Sequence, residues 1–176
     1  MTQRIYGVVG WKNAGKTGLM ERLVSEITGR GFSVSTVKHA HHSFDVDQPG
    51  KDSHRHRTAG AREVLLASGA RWALMHELAQ EAEPPLELLL SKLAPVDLVL
   101  VEGYKRDAHP KVEAFRQATG NPLIAPEDAT IKAIAADVTL DSDRVVFDLD
   151  DTGSIADFVL SEVGLMPALA EGGGDV

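Results

Sequence analysis

The residues with the clearest capacity for chemistry lie together in the stretch GWKNAGKT, residues 10–17. Gly10, Gly15, Lys16 and Thr17 fit the pattern G-x-x-x-x-G-K-[ST], in which glycines allow the backbone to wrap around phosphate groups. In such a loop the lysine reaches the β- and γ-phosphates of a nucleotide, and the hydroxyl that follows it binds Mg²⁺. We therefore expect Lys16 to act on phosphate and Thr17 to act as a metal ligand.

The middle positions of this loop complete the predicted nucleotide-binding segment. They are Trp11, Lys12, Asn13 and Ala14. Lys12 could neutralise phosphate, reach across to a second subunit, or do no more than add charge beside a polyphosphate.

A second metal ligand is expected at the end of a neighbouring strand, because Mg²⁺ usually takes another contact from an acid there. The run VDLVLVEGYK offers Asp97 and Glu102. Ligands of open α/β sheets bind at the carboxyl ends of the strands, and an extended strand separates the two acids by about 16 Å. Glu102 is the predicted metal ligand, and Asp97 is interpreted as the residue that opens the strand.

Further polar side chains follow the second predicted strand. Lys38 and His39 lie at its carboxyl end, where we expect them to face phosphate or a catalytic water. Asp45, Asp47 and Asp52 come from the long polar segment that follows, and each is a candidate for orienting that water. The alternative is a set of solvated loop carboxylates, with an N-cap for the next helix at Asp52 or Ser53.

The run RWALMHE predicts another strand, which ends beside Glu77. If this strand runs parallel to the first one, Glu77 lies on the rim of the nucleotide site. There its carboxylate could accept a hydrogen bond from the base or the ribose.

The elements that must position these residues alternate along the chain between apolar β-type runs and amphipathic helical patterns. This alternation predicts an α/β fold, a mostly parallel sheet flanked by helices, and a phosphate loop between a strand and a helix whose N-terminus faces the anion. The predicted strands cover residues 4–9, 32–37, 63–67, 71–76, 96–101, 111–115, 121–125, 132–136 and 144–147. The predicted helices cover residues 16–29, 52–60, 84–93 and 152–163.

The composition is that of a soluble globular protein. A chain of 176 residues, 43% hydrophobic and 25% charged, can bury a full core, and we expect one domain over residues 1–163 with a disordered tail over 164–176. The absence of cysteine excludes disulfides and thiolate chemistry. A formal net charge of −8 argues against binding to a nucleic-acid backbone. No apolar stretch is long enough for a signal peptide or a membrane span, so a cytoplasmic location is expected.

Five segments stand in a recognisable order and spacing: GWKNAGKT, VKHAHHSFDVDQPGKDS, RTAGA, RWALMHE and VDLVLVEGYK. Together they resemble the MobB family, the molybdopterin-guanine dinucleotide biosynthesis adaptor proteins. The resemblance runs from the first strand to the ADFV segment at residues 156–159. It implies a homodimeric P-loop NTPase fold with additional strands that extend the sheet, GTP and Mg²⁺ as ligands, and weak GTP hydrolysis.

The same resemblance implies a partner and a pathway. The partner is the guanylyltransferase MobA, which joins GMP to molybdopterin, and molybdopterin or its guanine dinucleotide is a candidate ligand. On this chain the phosphate-loop role falls on residues 10–17, the acid of the EG-[FY]-K motif is Glu102, and residues 45–53 form a switch or substrate-facing loop. The chain lacks an N-K-x-D motif, so guanine specificity is implied by the resemblance alone.

A GTP-dependent metallochaperone is one alternative, because imidazole suits nickel and zinc. Five histidines fall between positions 39 and 56, namely His39, His41, His42, His54 and His56. Neither a cysteine nor a regular helical H-x-x-x-H pair fixes a metal geometry among them.

Two further alternatives stay open. A small-molecule kinase would use positioned arginines on a transferred phosphoryl group, and the candidates are Arg55, Arg57 and Arg62. A non-catalytic interaction module would use the bound nucleotide as a conformational switch.

Overall fold

The computed structural model describes residues 3–40 and 44–166. The chain divides into two compact units, Met1–His39 with Leu90–Val176 and Ala40–Leu89, which we call the sheet unit and the hairpin unit. The expectation of one domain over residues 1–163 stays a prediction, and the predicted tail lies outside the described residues from position 167 onward. None of the helices in the described ranges has the length and apolar character needed to cross a bilayer.

Eight strands and four α-helices are formed by the described residues. The strands are β1 (Ile5–Val9), β2 (Val34–Lys38), β3 (Glu63–Ala67), β4 (Trp72–His76), β5 (Leu98–Glu102), β6 (Lys111–Phe115), β7 (Ile131–Ala136) and β8 (Val145–Asp148). The α-helices are α1 (Lys16–Gly29), α2 (Asp52–Thr58), α3 (Leu86–Leu90) and α4 (Thr152–Glu162), and short 3-10 helices cover Gln117–Thr119 and Ala125–Glu127. The third helix, predicted over residues 84–93, is shorter at both ends, and Pro84 and Pro85 precede its first residue.

The sheet unit is built on a six-stranded sheet in the order β2-β5-β1-β6-β7-β8. Every adjacent pair in it is parallel. The carboxyl ends of all six strands therefore meet at one edge, which is where ligands bind in sheets of this kind. This arrangement confirms the predicted α/β fold with a parallel sheet, and β7 and β8 extend the sheet on the far side of β6.

Helix α1 packs on one face of this sheet together with α4. Its Leu19, Leu23 and Ile27 are fully buried, and they recur at the helical spacing seen in the sequence. Each such side chain contributes about 1.5–3 kcal/mol through burial. This packing fixes the start of α1, and so it fixes the loop that enters the helix from β1.

The predicted strand at 121–125 is wrong. The segment leads instead into the 3-10 helix Ala125–Glu127. Pro122 has no N–H to donate to a ladder, and the amides of Ile124 and Ala125 donate to the Glu113 carboxylate at 2.9 and 2.8 Å. Because these two amides donate to a side chain, they cannot also pair with the backbone of a neighbouring strand.

The hairpin unit contains β3 and β4, which form a two-stranded antiparallel sheet with Leu65 opposite Leu74. The connection between the strands is stabilised by Ser68, whose hydroxyl oxygen accepts from the amides of Ala70 and Arg71 at 3.3 and 3.2 Å. Both predicted strands are confirmed here. The assumption that β4 runs parallel to β1 in one sheet is not, because β4 pairs with β3.

Candidate nucleotide-binding site

The phosphate-loop motif connects the carboxyl end of β1 to the first residue of α1. Gly10, Asn13 and Gly15 all have positive φ, at 146°, 65° and 97°. Gly10 has no substitute, because a Cβ atom there would lie 2.4 Å from the carbonyl oxygen of Ala114 on β6. The first amides of α1 point out of the helix start, so the loop offers backbone donors and a positive dipole end to an anion.

Trp11 contacts Lys16 of the phosphate loop and also residues of two other segments. Its carbonyl oxygen accepts from the Lys16 Nζ atom at 2.7 Å. Its indole N–H donates to the carbonyl oxygen of Pro122 at 2.7 Å, and the Lys105 Nζ atom lies 4.3 Å from the centre of its ring. Trp11 therefore ties the phosphate loop to the segment after β6 and to the segment after β5.

The two predicted metal ligands, Thr17 and Glu102, lie next to each other. The Thr17 hydroxyl donates to Glu102 Oε1 at 3.4 Å, although 85 positions separate the residues in the chain. Strand register brings this about, because Glu102 lies beside Val8 of β1 and beside Lys38 of β2. A hydroxyl and a nearly buried carboxylate are hard oxygen donors of the kind that Mg²⁺ prefers, so the donor set fits this ion.

Asp97 lies at the opposite end of β5. Its carboxylate accepts from the Ser33 amide at 2.7 Å and from the Ser33 hydroxyl at 2.6 Å. Asp97 therefore ties the start of β5 to the start of β2, as the interpretation of a strand-opening residue requires.

Positive charge accumulates around Glu102. The Lys38 Nζ atom lies 3.4 Å from Glu102 Oε1. Burial lowers the pKa of Lys16, the Glu102 carboxylate opposes this shift, and the charges of Lys105 and Lys38 lower the pKa further. Lys16 and Lys38 thus share the Glu102 carboxylate, and the charge of Lys105 also acts on Lys16, an accumulation of positive charge that a polyanionic ligand would relieve.

His39 follows β2 directly. Its amide donates to the carbonyl oxygen of Glu102 at 2.9 Å, and its ring lies 4.9 Å from the ring of Tyr104. The structure thus places both Lys38 and His39 beside Glu102, at the edge that the sequence predicted for them.

Two cationic residues of this edge were not predicted as site residues. Lys105 follows β5 by three positions, and the Arg116 side chain covers the loop so closely that a Cβ atom on Gly15 would lie 3.2 Å from its Nε atom. Arg116 directly follows β6. The principle that located Glu102, attention to the carboxyl ends of the strands, would have found both.

The remaining predicted residues, Asp45, Asp52 and Glu77, belong to the hairpin unit. Asp45 Oδ1 accepts from Arg57 Nη2 at 2.7 Å, and Glu77 Oε1 accepts from Arg57 Nη1 at 3.4 Å. Asp52 is the first residue of α2 and makes a 3.9 Å ion pair with Arg55. The proposed N-cap at Asp52 or Ser53 is wrong, since Lys51 occupies that position. The roles of the three acids in catalysis and nucleotide binding stay predictions.

Arg57 organises this second group of charges. Besides Asp45 and Glu77 it binds Asp47, whose Oδ1 accepts from Arg57 Nη2 at 2.8 Å. This contact with Arg57 is the main reason why the pKa of Asp47 is lowered. These ion pairs account for the position of the Arg57 side chain, so a bound phosphoryl group is not needed to explain it.

Histidines near one another were the basis of the metallochaperone alternative. In the parts of the chain that the structure describes, no three His, Asp or Glu side chains are grouped so that they could hold a metal ion. His41 and His42 lie outside those parts, so the alternative stays a prediction.

The comparisons with known proteins point in one direction. The model of the family described as molybdopterin guanine dinucleotide synthesis protein B, MobB, matches residues 5–137. The molybdopterin-guanine dinucleotide biosynthesis adapter protein of Escherichia coli is 40% identical over 153 residues, which cover 85% of this chain and 87% of the relative. The protein of the same name from Haemophilus influenzae is 40% identical over 162 residues, covering 88% and 86%.

Solved structures give the same result. A MobB protein homolog from Bacillus stearothermophilus superposes with a TM-score of 0.68 at 29% identity, covering 92% of this chain and 99% of that one. MobB of Bacillus subtilis superposes with a TM-score of 0.69 at 25% identity, covering 91% and 98%.

Proposed function

The chain belongs to the family of molybdopterin guanine dinucleotide synthesis protein B, and we propose that it acts as an adapter in the biosynthesis of that dinucleotide by binding GTP with Mg²⁺. One observation carries the nucleotide part of this proposal. Lys38 lies beside the Glu102 carboxylate, Lys16 interacts with the same carboxylate, and Lys105 adds a third ammonium group over Trp11 of the phosphate loop. A nucleoside triphosphate with Mg²⁺ supplies the anionic oxygens that would balance these charges.

Each residue of the loop then has a defined task. The backbone of residues 10–17 holds the phosphates, and Lys16 leaves the Trp11 carbonyl oxygen to reach the β- and γ-phosphates. Thr17 and Glu102 would hold Mg²⁺, which when bound neutralises charge on the phosphate oxygens. Lys38 and His39 line the same edge, and hydrolysis is proposed to be slow.

A cleft at the same edge supports a place for the base. It has a volume of about 330 Å³ and lies at the carboxyl ends of β7 and β8, where Asp137 and Thr139 are among its lining residues. Two strand spacings separate β1 from β7, about 10 Å, a distance that the ribose and phosphates of one nucleotide span. The Asp137 side chain is exposed, and its Oδ1 atom accepts from the Gln117 amide at 2.9 Å. Its remaining lone pairs would accept from the ring N–H and amino group of guanine, whereas adenine presents an acceptor at that ring nitrogen. Asp137→Asn is therefore expected to reduce the preference for GTP over ATP.

A homodimer is proposed through the hairpin unit. Leu65, Trp72 and Leu74 on β3 and β4 are exposed at 62%, 67% and 46%, and a two-stranded sheet is marginally stable alone. A second copy of the chain would cover these side chains with its own. Sedimentation equilibrium should show a dimer that Leu65→Ser weakens, whereas Val145→Ser, which changes a residue exposed at 49% in the sheet unit, should have no effect. A monomeric wild type would exclude this part of the proposal.

The partner is proposed to be a MobA-type guanylyltransferase in the cytoplasm, with molybdopterin or its guanine dinucleotide as a further ligand. The names of the relatives support an adapter role in that pathway. Co-sedimentation of the purified chain with such an enzyme, with and without GTP, would test the contact.

Calorimetric titration of the full chain with GTP and with ATP, each with Mg²⁺, tests the nucleotide proposal. We expect a preference for GTP, loss of tight binding in Lys16→Ala, and unchanged binding in Lys92→Ala, which removes an exposed lysine between α3 and β5. Glu102→Ala should lose Mg²⁺-dependent hydrolysis more than it loses binding. Normal Mg²⁺-dependent turnover in that variant would remove Glu102 from the site.

The same titration separates the alternatives. Tight binding of Ni²⁺ or Zn²⁺ by the chain alone, lost when the histidines are changed, would favour a metallochaperone. A clear preference for ATP would favour a kinase.

A further inference from the structure

The chain makes an unusual turn directly after the Glu102 carboxylate. Gly103 and Tyr104 both have positive φ, at 94° and 50°. This is rare for a residue with a large side chain and is maintained only where the surroundings require it. Gly103 is also packed against His39, since a Cβ atom on it would lie 2.9 Å from His39 Cβ. The turn brings Lys105 back over the phosphate loop.

Lys105 rests on the face of Trp11. Its Nζ atom lies 4.3 Å from the centre of the indole ring, within the range of a cation–π contact. The ring itself is held in place, because its N–H donates to the carbonyl oxygen of Pro122. Lys105 thus has a defined resting position beside the loop, on a neutral surface.

The partial burial of Lys105 favours the transfer of its ammonium group to an anion. Burial lowers the pKa of Lys105, and the Glu113 carboxylate opposes this shift. Glu113 is itself fully buried and accepts from the amides of Ile124 and Ala125, so Lys105 has an aromatic face as its direct contact. A hydrogen bond from an ammonium group to a phosphate oxygen is stronger than a partly exposed cation–π contact.

We propose that Lys105 is held ready on the Trp11 ring and moves to the terminal phosphate of a bound nucleoside triphosphate, so that this pair distinguishes GTP from GDP. The inference rests on the proposed function and deepens it. Trp11 is well placed to couple the two states, because its carbonyl oxygen also holds the Lys16 ammonium group. Arrival of a triphosphate would withdraw both lysines from one residue.

Trp11 itself supplies the measurement. The chain has two tryptophans, so Trp72→Phe leaves Trp11 as the sole indole, and its emission responds when an ammonium group leaves the ring face. In this background, titration with GTP and Mg²⁺ should change the emission, and GDP with Mg²⁺ should change it much less. Calorimetry on the same samples gives the two affinities independently.

Substitution of Lys105 is the decisive step. Loss of one charge-assisted contact predicts that Lys105→Met binds GTP roughly ten- to a hundredfold more weakly and GDP within about twofold of wild type. The same variant should lose the emission change that is specific to GTP. Lys105→Arg should retain the discrimination, and Lys92→Met, which removes an exposed lysine outside the site, should match wild type.

The outcomes separate the two proposals. Equal weakening of GTP and GDP in Lys105→Met, or equal emission changes with both nucleotides in the parent, would overturn the inference while leaving the nucleotide site intact. Failure of the wild-type chain to bind GTP by calorimetry would overturn the proposed function, and the inference with it. Retained GDP binding shows that Lys105→Met is folded.

Discussion

Glu113→Gln is the substitution whose effect on stability follows most directly from the structure. Glu113 lies on β6 with a fully buried side chain. Its two oxygens accept from the amides of Ile124 and Ala125 at 2.8–3.0 Å. A glutamine keeps the shape but has one acceptor oxygen, and its NH₂ group would face an amide donor.

The expected loss is about 2 kcal/mol in the free energy of unfolding. A glutamine oxygen at the Oε2 position can still accept from both amides, but the NH₂ group at the Oε1 position would face the Ile124 N–H, which costs about 1–3 kcal/mol. Removing a buried charge offsets part of this loss.

Urea unfolding followed by circular dichroism measures the difference. Glu127→Gln is the matched control, because it changes an exposed carboxylate in the adjoining 3-10 helix and should alter stability by less than about 0.5 kcal/mol. If Glu113→Gln and Glu127→Gln unfold at the same urea concentration, the Glu113 contacts do not hold the 122–125 segment and the reasoning fails.

The pH dependence of the same experiment has a defined sign. Burial raises the pKa of Glu113, against the opposing effect of the two amides and of Lys105. At pH values between the pKa of Glu113 in the unfolded state and its pKa in the folded state, the folded state binds more protons. The contribution of Glu113 to stability therefore falls as the pH rises through that window. The glutamine variant lacks this titration. The difference in the free energy of unfolding between wild type and Glu113→Gln should therefore be largest at acidic pH. It should become smaller as the pH rises past the raised pKa of Glu113.

Three substitutions around the loop give further predictions. Gly10→Ala should abolish nucleotide binding and lower the melting temperature, because its Cβ would lie 2.4 Å from the Ala114 carbonyl oxygen; an active, stable variant would contradict the loop geometry. Gly18→Ala on α1 should instead stabilise by about 0.5–1 kcal/mol in thermal unfolding, since the nearest atom, an Arg22 nitrogen, would be 3.5 Å away. Thr17→Val should remove the enhancement of GTP affinity by Mg²⁺ while leaving binding without metal nearly unchanged, and calorimetry with and without Mg²⁺ would reveal any retained enhancement.

The strand, loop and first helix at residues 4–29 could be predicted because every signal for them is local. The glycine spacing requires a wrapped loop, and the apolar periodicity requires a helix after it. Glu102 could be predicted as well, since its position at the end of an apolar run places it at the edge of any parallel sheet. Its approach to Thr17 then follows from strand order.

The orientation of the Lys105 side chain and the conformation of segment 121–125 could not be predicted in the same way. The direction of Lys105 depends on the turn at Gly103 and Tyr104, whose φ angles are set by packing against His39. The β-type run at 121–125 is prevented from pairing by a carboxylate that lies on another strand. Both depend on contacts between parts of the chain that are distant in sequence.

The position of β1 in the sheet also determines when this strand can pair during folding. β1 is synthesised first, yet its two neighbours are β5 and β6, so that Ile5 pairs with Val99 and Val8 pairs with Val112. Closing such long loops costs entropy before any contact repays it, which slows folding. During synthesis the apolar segment IYGVV must wait until both later strands have left the ribosome. The strand that carries the phosphate loop therefore needs protection from aggregation while the chain is still being made.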